Sequence, residues 1–150
     1  MKNFLLIYAA LLLVFCSCQS GVNTYENKMG IQPAVLAQID SAHYTTIEWK
    51  DTLVNFGKIK EGDSVVIKYP FKNTGKYILL ITGVQSSCGC TVTSYPTQPI
   101  MPGKSDAIIA KFNSNHHPGI IHKTIWVSSN TANGVRHLLV LNGMVDAQTQ

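Results

Sequence analysis

The amino-acid sequence predicts an all-β domain built as a two-layer sandwich. From residue 44 onward the chain consists of short apolar or alternating runs, and turn-forming residues separate these runs every ~8–12 positions. The pattern contains no long amphipathic helix and no repeat with the period of a solenoid. About seven antiparallel strands in ~100 residues cannot bury their apolar faces in one open sheet. We therefore expect two sheets packed face to face.

Composition places the chain among single-domain globular proteins. It has 150 residues, of which 45% are hydrophobic and 13% charged, and one domain usually takes ~100–200 residues. The formal net charge of +4 comes from 12 Lys and Arg against 8 Asp and Glu, which are scattered along the chain. Because no basic run is present, we expect no nucleic-acid partner.

The first element is a targeting segment over residues 1–17. Lys2 precedes an apolar run over residues 4–15, which is shorter than the ~20 residues of a spanning helix and fits the core of a secretory signal. The run ends in Phe15-Cys16-Ser17-Cys18, which resembles the lipobox of bacterial lipoproteins. A small residue precedes the modified cysteine in such sequences, and Ser17 meets this requirement whereas Phe15 does not. The resemblance therefore implies lipidation at Cys18.

Lipidation would tie the protein to a membrane without spanning it. Acyl chains on Cys18 would bury methylene groups worth ~0.8 kcal/mol each. No acidic residue follows Cys18 directly, so we expect a location in the cell envelope facing the periplasm. The polar composition of residues 18–43 predicts a flexible tether, in which residues 33–39 could form a short helical turn.

We place the domain at residues 44–146. The pattern of residues in its first half predicts a broken strand followed by a hairpin. Residues 46–49 and 53–59 form the broken first strand, with a bulge at Gly57. Residues 64–72 alternate apolar and polar side chains. The next four residues favour a turn in which Gly75 takes a positive φ, so residues 64–72 should pair with residues 77–84.

The second half supplies the remaining strands. A proline-rich loop follows the fourth strand, and Gly143 is expected to leave room for a close neighbour. The chain lacks the widely spaced cysteine pair of antibody domains, so an immunoglobulin-like core must be stable without that crosslink. The predicted strands cover residues 91–95, 105–112, 120–128 and 135–145, and residues 147–150 form a tail.

Five ordered segments resemble one bacterial family, known as domain of unknown function 1573. The resemblance covers residues 49–145 and implies an immunoglobulin-like fold related to PapD-like and major-sperm-protein-like sandwiches. It also implies frequent secretion or lipid anchoring and no established catalytic activity. The segments are FGKIKEGD at 56–63, FKNTGK at 71–76, SCGCT at 87–91, PGKS at 102–105 and VSSN at 127–130.

Cys88-Gly89-Cys90 is the sequence feature that composition does not explain. Residues i and i+2 of an extended chain point to the same side, which leaves three alternatives: a local disulfide, a dithiol for redox exchange, or two ligands of copper or zinc. Alternate connections of an antiparallel sandwich share one end, so the loop over residues 113–119 should bring His116 and His117 close to the cysteines. The simpler alternative is cysteines packed at a strand end and solvated histidines, and we favour a structural or local-disulfide role.

No catalytic template is present. The sequence has no G-x-S-x-G, no phosphate-binding loop and no paired carboxylates, and we interpret His43, His122 and His137 as surface residues. We therefore expect a non-enzymatic module without a cofactor that binds an envelope protein through a sheet edge or a loop cluster. The alternative is a metal-binding or thiol-redox protein that uses Cys88, Cys90, His116 and His117.

Overall fold

The computed structural model describes residues 41–147, and this part of the chain is almost entirely β-structure. The leader, Cys18, the helical turn expected at 33–39 and most of the tail lie outside the described residues. Within residues 41–147, no helix is long and apolar enough to cross a membrane. After a 3-10 turn at Ser41–His43, the strands are β1 Ile47–Trp49, β2 Leu53–Lys60, β3 Ser64–Asn73, β4 Ile81–Ser86, β5 Thr91–Ser94, β6 Ser105–Asn113, β7 Gly119–Ser129 and β8 Arg136–Asp146.

The strands form two four-stranded sheets, which confirms the predicted all-β sandwich. Sheet I has the order β1-β3-β6-β5, and sheet II has the order β2-β8-β7-β4. Two details of the prediction are wrong. The described residues contain eight strands rather than seven, and β2 pairs with β8 in parallel, whereas the other pairs are antiparallel. The broken first strand is in fact two strands, because the chain changes sheet between β1 and β2.

The predicted hairpin of residues 64–72 with residues 77–84 does not form. β3 lies in sheet I, where it pairs with β1 and β6, while β4 lies in sheet II and pairs with β7. The segment between them crosses from one sheet to the other. Its backbone groups therefore need partners outside a regular ladder.

Two buried asparagines supply those partners. The Asn73 amide nitrogen donates to the carbonyl oxygens of Tyr77, at 2.8 Å, and Ile100, at 2.9 Å. The Asn73 amide oxygen accepts from the Thr45 hydroxyl at 2.7 Å and from the Gly75 backbone N–H at 3.1 Å. The amide of Asn130 accepts from the Leu80 N–H and donates to the Ile78 carbonyl. Together with the backbone bridge between Leu79 and Ile100, these side chains thus replace a neighbouring strand along residues 75–80.

Two glycines occupy places where a side chain would collide with a neighbour. A Cβ on Gly75 would meet Thr45 Oγ1, and a Cβ on Gly143 would meet the Phe56 ring. The close neighbour expected at Gly143 is confirmed. The positive φ expected at Gly75 is wrong, because this glycine is required by the close approach of Thr45. Gly57 does have a positive φ, and it lies at the register shift of β2.

The core lies between the sheets. The side chains of Tyr69 and Phe112 from sheet I and of Leu139 and Leu141 from sheet II are completely buried. The Tyr69 hydroxyl donates to the Val140 carbonyl oxygen at 3.0 Å, which joins the two layers through a hydrogen bond. Burial raises the pKa of Tyr69 to about 12, so this donor keeps its proton at neutral pH.

His137 is half-buried rather than at the surface, which corrects the prediction for this residue. Its Nε2 lies 2.8 Å from Thr131 Oγ1 and 3.2 Å from Ser129 Oγ, and its ring packs 5.8 Å from that of Trp49. Burial lowers the pKa of His137 below its ordinary value of 6.5, and a hydrogen bond with the Gly134 backbone partly opposes this shift. The folded protein therefore favours the neutral imidazole.

Replacing Asn73 with alanine should be severely destabilising. The substitution Asn73→Ala leaves the Tyr77 carbonyl, the Gly75 N–H and the Thr45 hydroxyl without their Asn73 partner, which should cost about 2–4 kcal/mol of unfolding free energy. Denaturant unfolding measures this loss. The exposed Asn115→Ala is the control and should change the free energy by less than about 0.5 kcal/mol; equal effects of the two substitutions would contradict the role given to Asn73.

Stability should depend on pH through His137. Because its pKa is lower in the folded than in the unfolded state, the unfolded chain takes up the proton first as the pH falls. The free energy of unfolding should therefore decline from about pH 7.5 to about pH 5.5. His137→Gln should flatten this decline, whereas His122→Gln should retain it, and a retained slope in His137→Gln would disprove the assignment.

Candidate functional site

Three connections meet at one end of the sandwich, as the sequence predicted. This cysteine end comprises the turn at residues 87–90, the turn at 58–62 and the loop at 113–119. The Asn113 N–H donates to the Cys90 carbonyl at 3.0 Å, the Ser114 hydroxyl donates to the Lys60 carbonyl at 2.9 Å, and the His116 N–H donates to a Glu61 carboxylate oxygen at 3.1 Å.

Cys88 and Cys90 form a disulfide with one residue between them, which is the local crosslink favoured from the sequence. Both cysteines are half-buried and Gly89 is exposed. The disulfide lies where the chain leaves β4 of sheet II and enters β5 of sheet I. Closing a loop this short adds about 1.6 kcal/mol of chain-entropy stabilisation, compared with about 3 kcal/mol for a 15-residue loop, so the crosslink contributes little to the stability of the fold.

Hydrogen bonds hold the cysteine turn independently of the sulfur atoms. The Ser86 hydroxyl lies 2.9 Å from the carbonyl oxygens of both Cys88 and Thr91 and can donate to either. The Thr91 N–H donates to the Cys88 carbonyl. On the β7 side, the Ser87 N–H donates to the Thr124 carbonyl at 2.9 Å, and the Thr124 N–H donates to the Ser87 hydroxyl at 3.1 Å.

One hydroxyl lies close to the disulfide, and one lysine lies on the strand beside the cysteine turn. The Thr91 hydroxyl is 3.7 Å from the Cys88 sulfur and 4.0 Å from the Cys90 sulfur. The β4–β7 ladder ends at the Ser86–Ile125 pair, and the bonds between Ser87 and Thr124 place Lys123, the neighbour of Thr124, at the start of the cysteine turn. Lys123 shares the inward face of β7 with the buried Ile121 and Ile125 and is half-buried. The sequence analysis missed Lys123 because only the pairing of β4 with β7 brings it to this turn.

The two candidate histidines occupy different environments. His116 is exposed and has a φ of 58°. His117 is half-buried, and its ring stacks on Phe112 with 6.3 Å between centroids. Among residues 41–147, no group of three or more His, Cys, Asp and Glu side chains is arranged to hold a metal ion. A copper or zinc site stays a prediction, and it would require reduction of the disulfide because thiolates are the ligands.

A cleft of about 460 Å³ opens beside the cysteine turn. Gly89 and Cys90 form one wall, and a Cβ added at Gly89 would meet no atom within 4 Å, so the approach to the turn is open. The remaining lining residues are Ser64, Val92, Lys111, Asn113, Asn115 and His117.

The outer face of sheet II is unusually apolar for a surface facing water. The register places Ile120 beside Met144 and Trp126 beside Leu138, and these side chains, together with Leu53 of β2, are exposed; Ile120 is 85% exposed. We call Leu53, Ile120, Trp126, Leu138 and Met144 the outer patch. The sequence indicates such a surface, because β7 and β8 carry apolar residues at both odd and even positions and therefore on both faces of the sheet. The sheet topology was needed to show which of these residues share a face.

The polar His122–Asn142 pair divides the outer patch, because it lies between the Ile120–Met144 and Trp126–Leu138 pairs, and basic groups border the patch. His122 Nδ1 lies 2.8 Å from Asn142 Oδ1, and the Arg136 guanidinium lies 4.7 Å from the centre of the Trp126 ring. Lys58 forms a 3.0 Å ion pair with Asp146. A second cleft of about 550 Å³ lies between β2, β7 and β8, where Ile120, His122 and Met144 line it.

Comparison with protein families gives one match over most of the described domain. The family described as "Protein of unknown function (DUF1573)" matches residues 47–145. A search of curated protein sequences finds no significant match.

Solved structures with similar folds have low sequence identity to this chain. A protein of unknown function from Porphyromonas gingivalis W83 has a TM-score of 0.60 and 13% identity over 67% of this chain and 47% of that one. The PapD-like domain 7 of human CEP192 has a TM-score of 0.57 and 11% identity over 71% and 89%. The YadV chaperone has a TM-score of 0.50 and 15% identity over 69% and 54%. The chain spans about half of the Porphyromonas structure, and these similarities establish a PapD-like sandwich fold.

Proposed function

The chain belongs to the DUF1573 family, whose shared domain carries no assigned function, and from that premise we propose that it is a lipid-anchored, non-enzymatic module of the bacterial cell envelope. In this proposal the domain binds another envelope protein through the outer patch. The single observation that carries the binding role is the concentration of exposed large apolar side chains on one face of one sheet. Exposed apolar surface with polar residues around it marks interaction sites in soluble domains, and here two apolar pairs of β7 and β8 lie on either side of the His122–Asn142 pair.

The composition of the outer patch is that of a protein interface. Trp, Met and Arg are enriched at interfaces, and Trp and Arg dominate the residues that contribute most binding energy. Trp126 and Met144 lie in the patch, and Arg136 stacks over Trp126. Such a pair offers a flat, rigid apolar surface with a cation at its border.

The charge at the border favours an acidic partner surface. The strands of the face carry Lys58, Lys60 and Arg136 against Asp146. The exposed Lys58–Asp146 pair contributes little by itself, and the remaining cations attract carboxylates. The proposed occupant is therefore a protein with an apolar patch bordered by Asp and Glu.

The sheet edges are less suited to partner binding than the outer face. β1 and β5 have three and four residues, and β2 and β4 each contain a register shift. Short and bulged edge strands resist pairing with an added strand. The face of sheet II, in contrast, is built on its two central strands, β8 and β7, which have 11 residues each.

The domain geometry agrees with attachment through its N-terminal side. Thr45 pairs with Thr131 and bonds to Asn73, so the preceding residues join the domain at the end opposite the cysteine turn. β3 separates the two ends by 10 residues, or ~30 Å. In this proposal the tether from Cys18 enters the domain at the end away from the cysteine turn.

Lipidation is tested by metabolic labelling with a fatty-acid precursor. The full chain should incorporate label, Cys18→Ala should lose essentially all of it, and Cys16→Ala should keep it, because Ser17 rather than Phe15 precedes the modified residue. Mass spectrometry of the product locates the acyl chains. Label that persists in Cys18→Ala would refute the anchor.

The outer patch is tested by placing a photo-crosslinking residue at position 120 in the membrane-bound full chain. We expect adducts with one other envelope protein, reduced at least tenfold by Arg136→Glu and weakened by added salt. The matched control carries the crosslinker at position 66, because Val66 is an exposed apolar residue of sheet I, and it should give no such adduct.

The remaining outcomes of this experiment count against the proposal. Adducts between two copies of the chain would show that the outer patch is a dimer interface. Adducts with phospholipid, or binding to vesicles of phosphatidylglycerol that depends on Ile120, would show that it contacts the membrane.

A further inference from the structure

We propose that the Cys88–Cys90 disulfide is a reversible redox site that exchanges two electrons with the cysteines of a second protein. The inference does not depend on the outer patch, since the cysteine turn lies between β4 and β5, where the chain crosses between the two sheets. Its substrate class is a protein dithiol or, in the reverse direction, a protein disulfide.

The first argument is that the fold does not need the crosslink. The turn is fixed by the Ser86 hydroxyl and by backbone bonds from Ser87 to Thr124 and from Asn113 to Cys90. None of these bonds involves a sulfur atom. After reduction the two thiols stay side by side, with a Cα–Cα distance of 5.3 Å in the present form, and are positioned to close again.

The second argument is access for a partner thiolate. Cys90 and Gly89 line the open cleft, whereas Cys88 is not part of its lining. Gly89 has no side chain to shield the disulfide, and a thiolate needs a free approach to the sulfur that it attacks. Cys90 packs partly against the core and is the cysteine that borders the cleft, so we assign the attack to Cys90.

The third argument is stabilisation of the leaving group. When Cys90 is attacked, the electron pair of the broken bond leaves on Cys88. The Thr91 hydroxyl lies 3.7 Å from that sulfur, and Lys123 adjoins Thr124, which is bonded to Ser87, the residue before Cys88. A nearby cation lowers the pKa of a cysteine, and thiols of lower pKa leave faster.

The reaction balances without any further reagent. A thiolate of the partner bonds to the Cys90 sulfur, the Cys88–Cys90 bond breaks, and the Cys88 thiolate takes a proton from water. The second thiolate of the partner then attacks its own sulfur in the mixed disulfide, which releases Cys90 to be protonated. The partner is oxidised to a disulfide, and the chain gains two electrons and two protons; a partner disulfide reverses each step.

The redox equilibrium of the full chain in glutathione buffers tests the role of Lys123. The wild-type disulfide should be reduced and reoxidised reversibly, and Lys123→Met should shift the equilibrium constant about tenfold toward the disulfide, since it removes the cation that favours the thiolate. Lys68→Met, on the outer side of sheet I, is the matched control and should leave the constant unchanged. Equal constants for wild type and Lys123→Met would overturn the role of Lys123.

Trapping the mixed disulfide of the wild-type chain tests which sulfur is attacked. When reduced glutathione opens the disulfide and iodoacetamide alkylates the thiol that is released, mass spectrometry should find glutathione on Cys90 and the alkyl group on Cys88 at least ten times as often as the reverse. Equal amounts of the two products would contradict the assignment of Cys90. A disulfide that resists reduced glutathione, or a reduced form that loses its β-sheet circular-dichroism spectrum, would identify a structural crosslink and overturn the proposal.

Discussion

The fold depends on satisfying the backbone where the chain crosses between its two sheets. Most connections in the described domain change sheet; β5 to β6 and β7 to β8 are the exceptions. Each crossing takes N–H and C=O groups out of a ladder, and buried groups of this kind need other partners. Asn73 and Asn130 provide them at one end of the sandwich, and Ser86 and Ser114 do so at the cysteine end.

The same crossings determine where chemistry can occur. A strand held in a ladder on both sides has little freedom to present a reactive group, whereas a turn held by a few side-chain bonds is accessible and still ordered. The Cys88–Cys90 turn is such a place, because its hydrogen bonds come from β7 and the 113–119 loop. The disulfide therefore lies in an ordered turn, and the hydrogen bonds of that turn do not depend on the disulfide.

The two outer surfaces of the sandwich differ in character. Sheet I presents the basic side chains of Lys68 and Lys111 together with the exposed Val66 and Val92, and the cleft beside the cysteine turn opens against it. Sheet II presents the outer patch with a cation stacked on Trp126. A domain with these two surfaces can hold one protein through sheet II while the disulfide reacts at its end, and the PapD-like fold itself prescribes neither role.

The sequence by itself determined the all-β sandwich, the bulge at Gly57 and the meeting of three connections near the cysteines, because alternation and turn residues are local signals. It misplaced the pairing of β3 and β4, since a hairpin and a sheet crossing have similar turn residues and differ in the distant partners of Asn73 and Asn130. Only the tertiary structure decided that Lys123 lies beside the cysteine turn and that Ile120, Trp126, Leu138 and Met144 share one face of sheet II. These neighbours are set by strand register between segments far apart in the chain, and register depends on packing of the whole core.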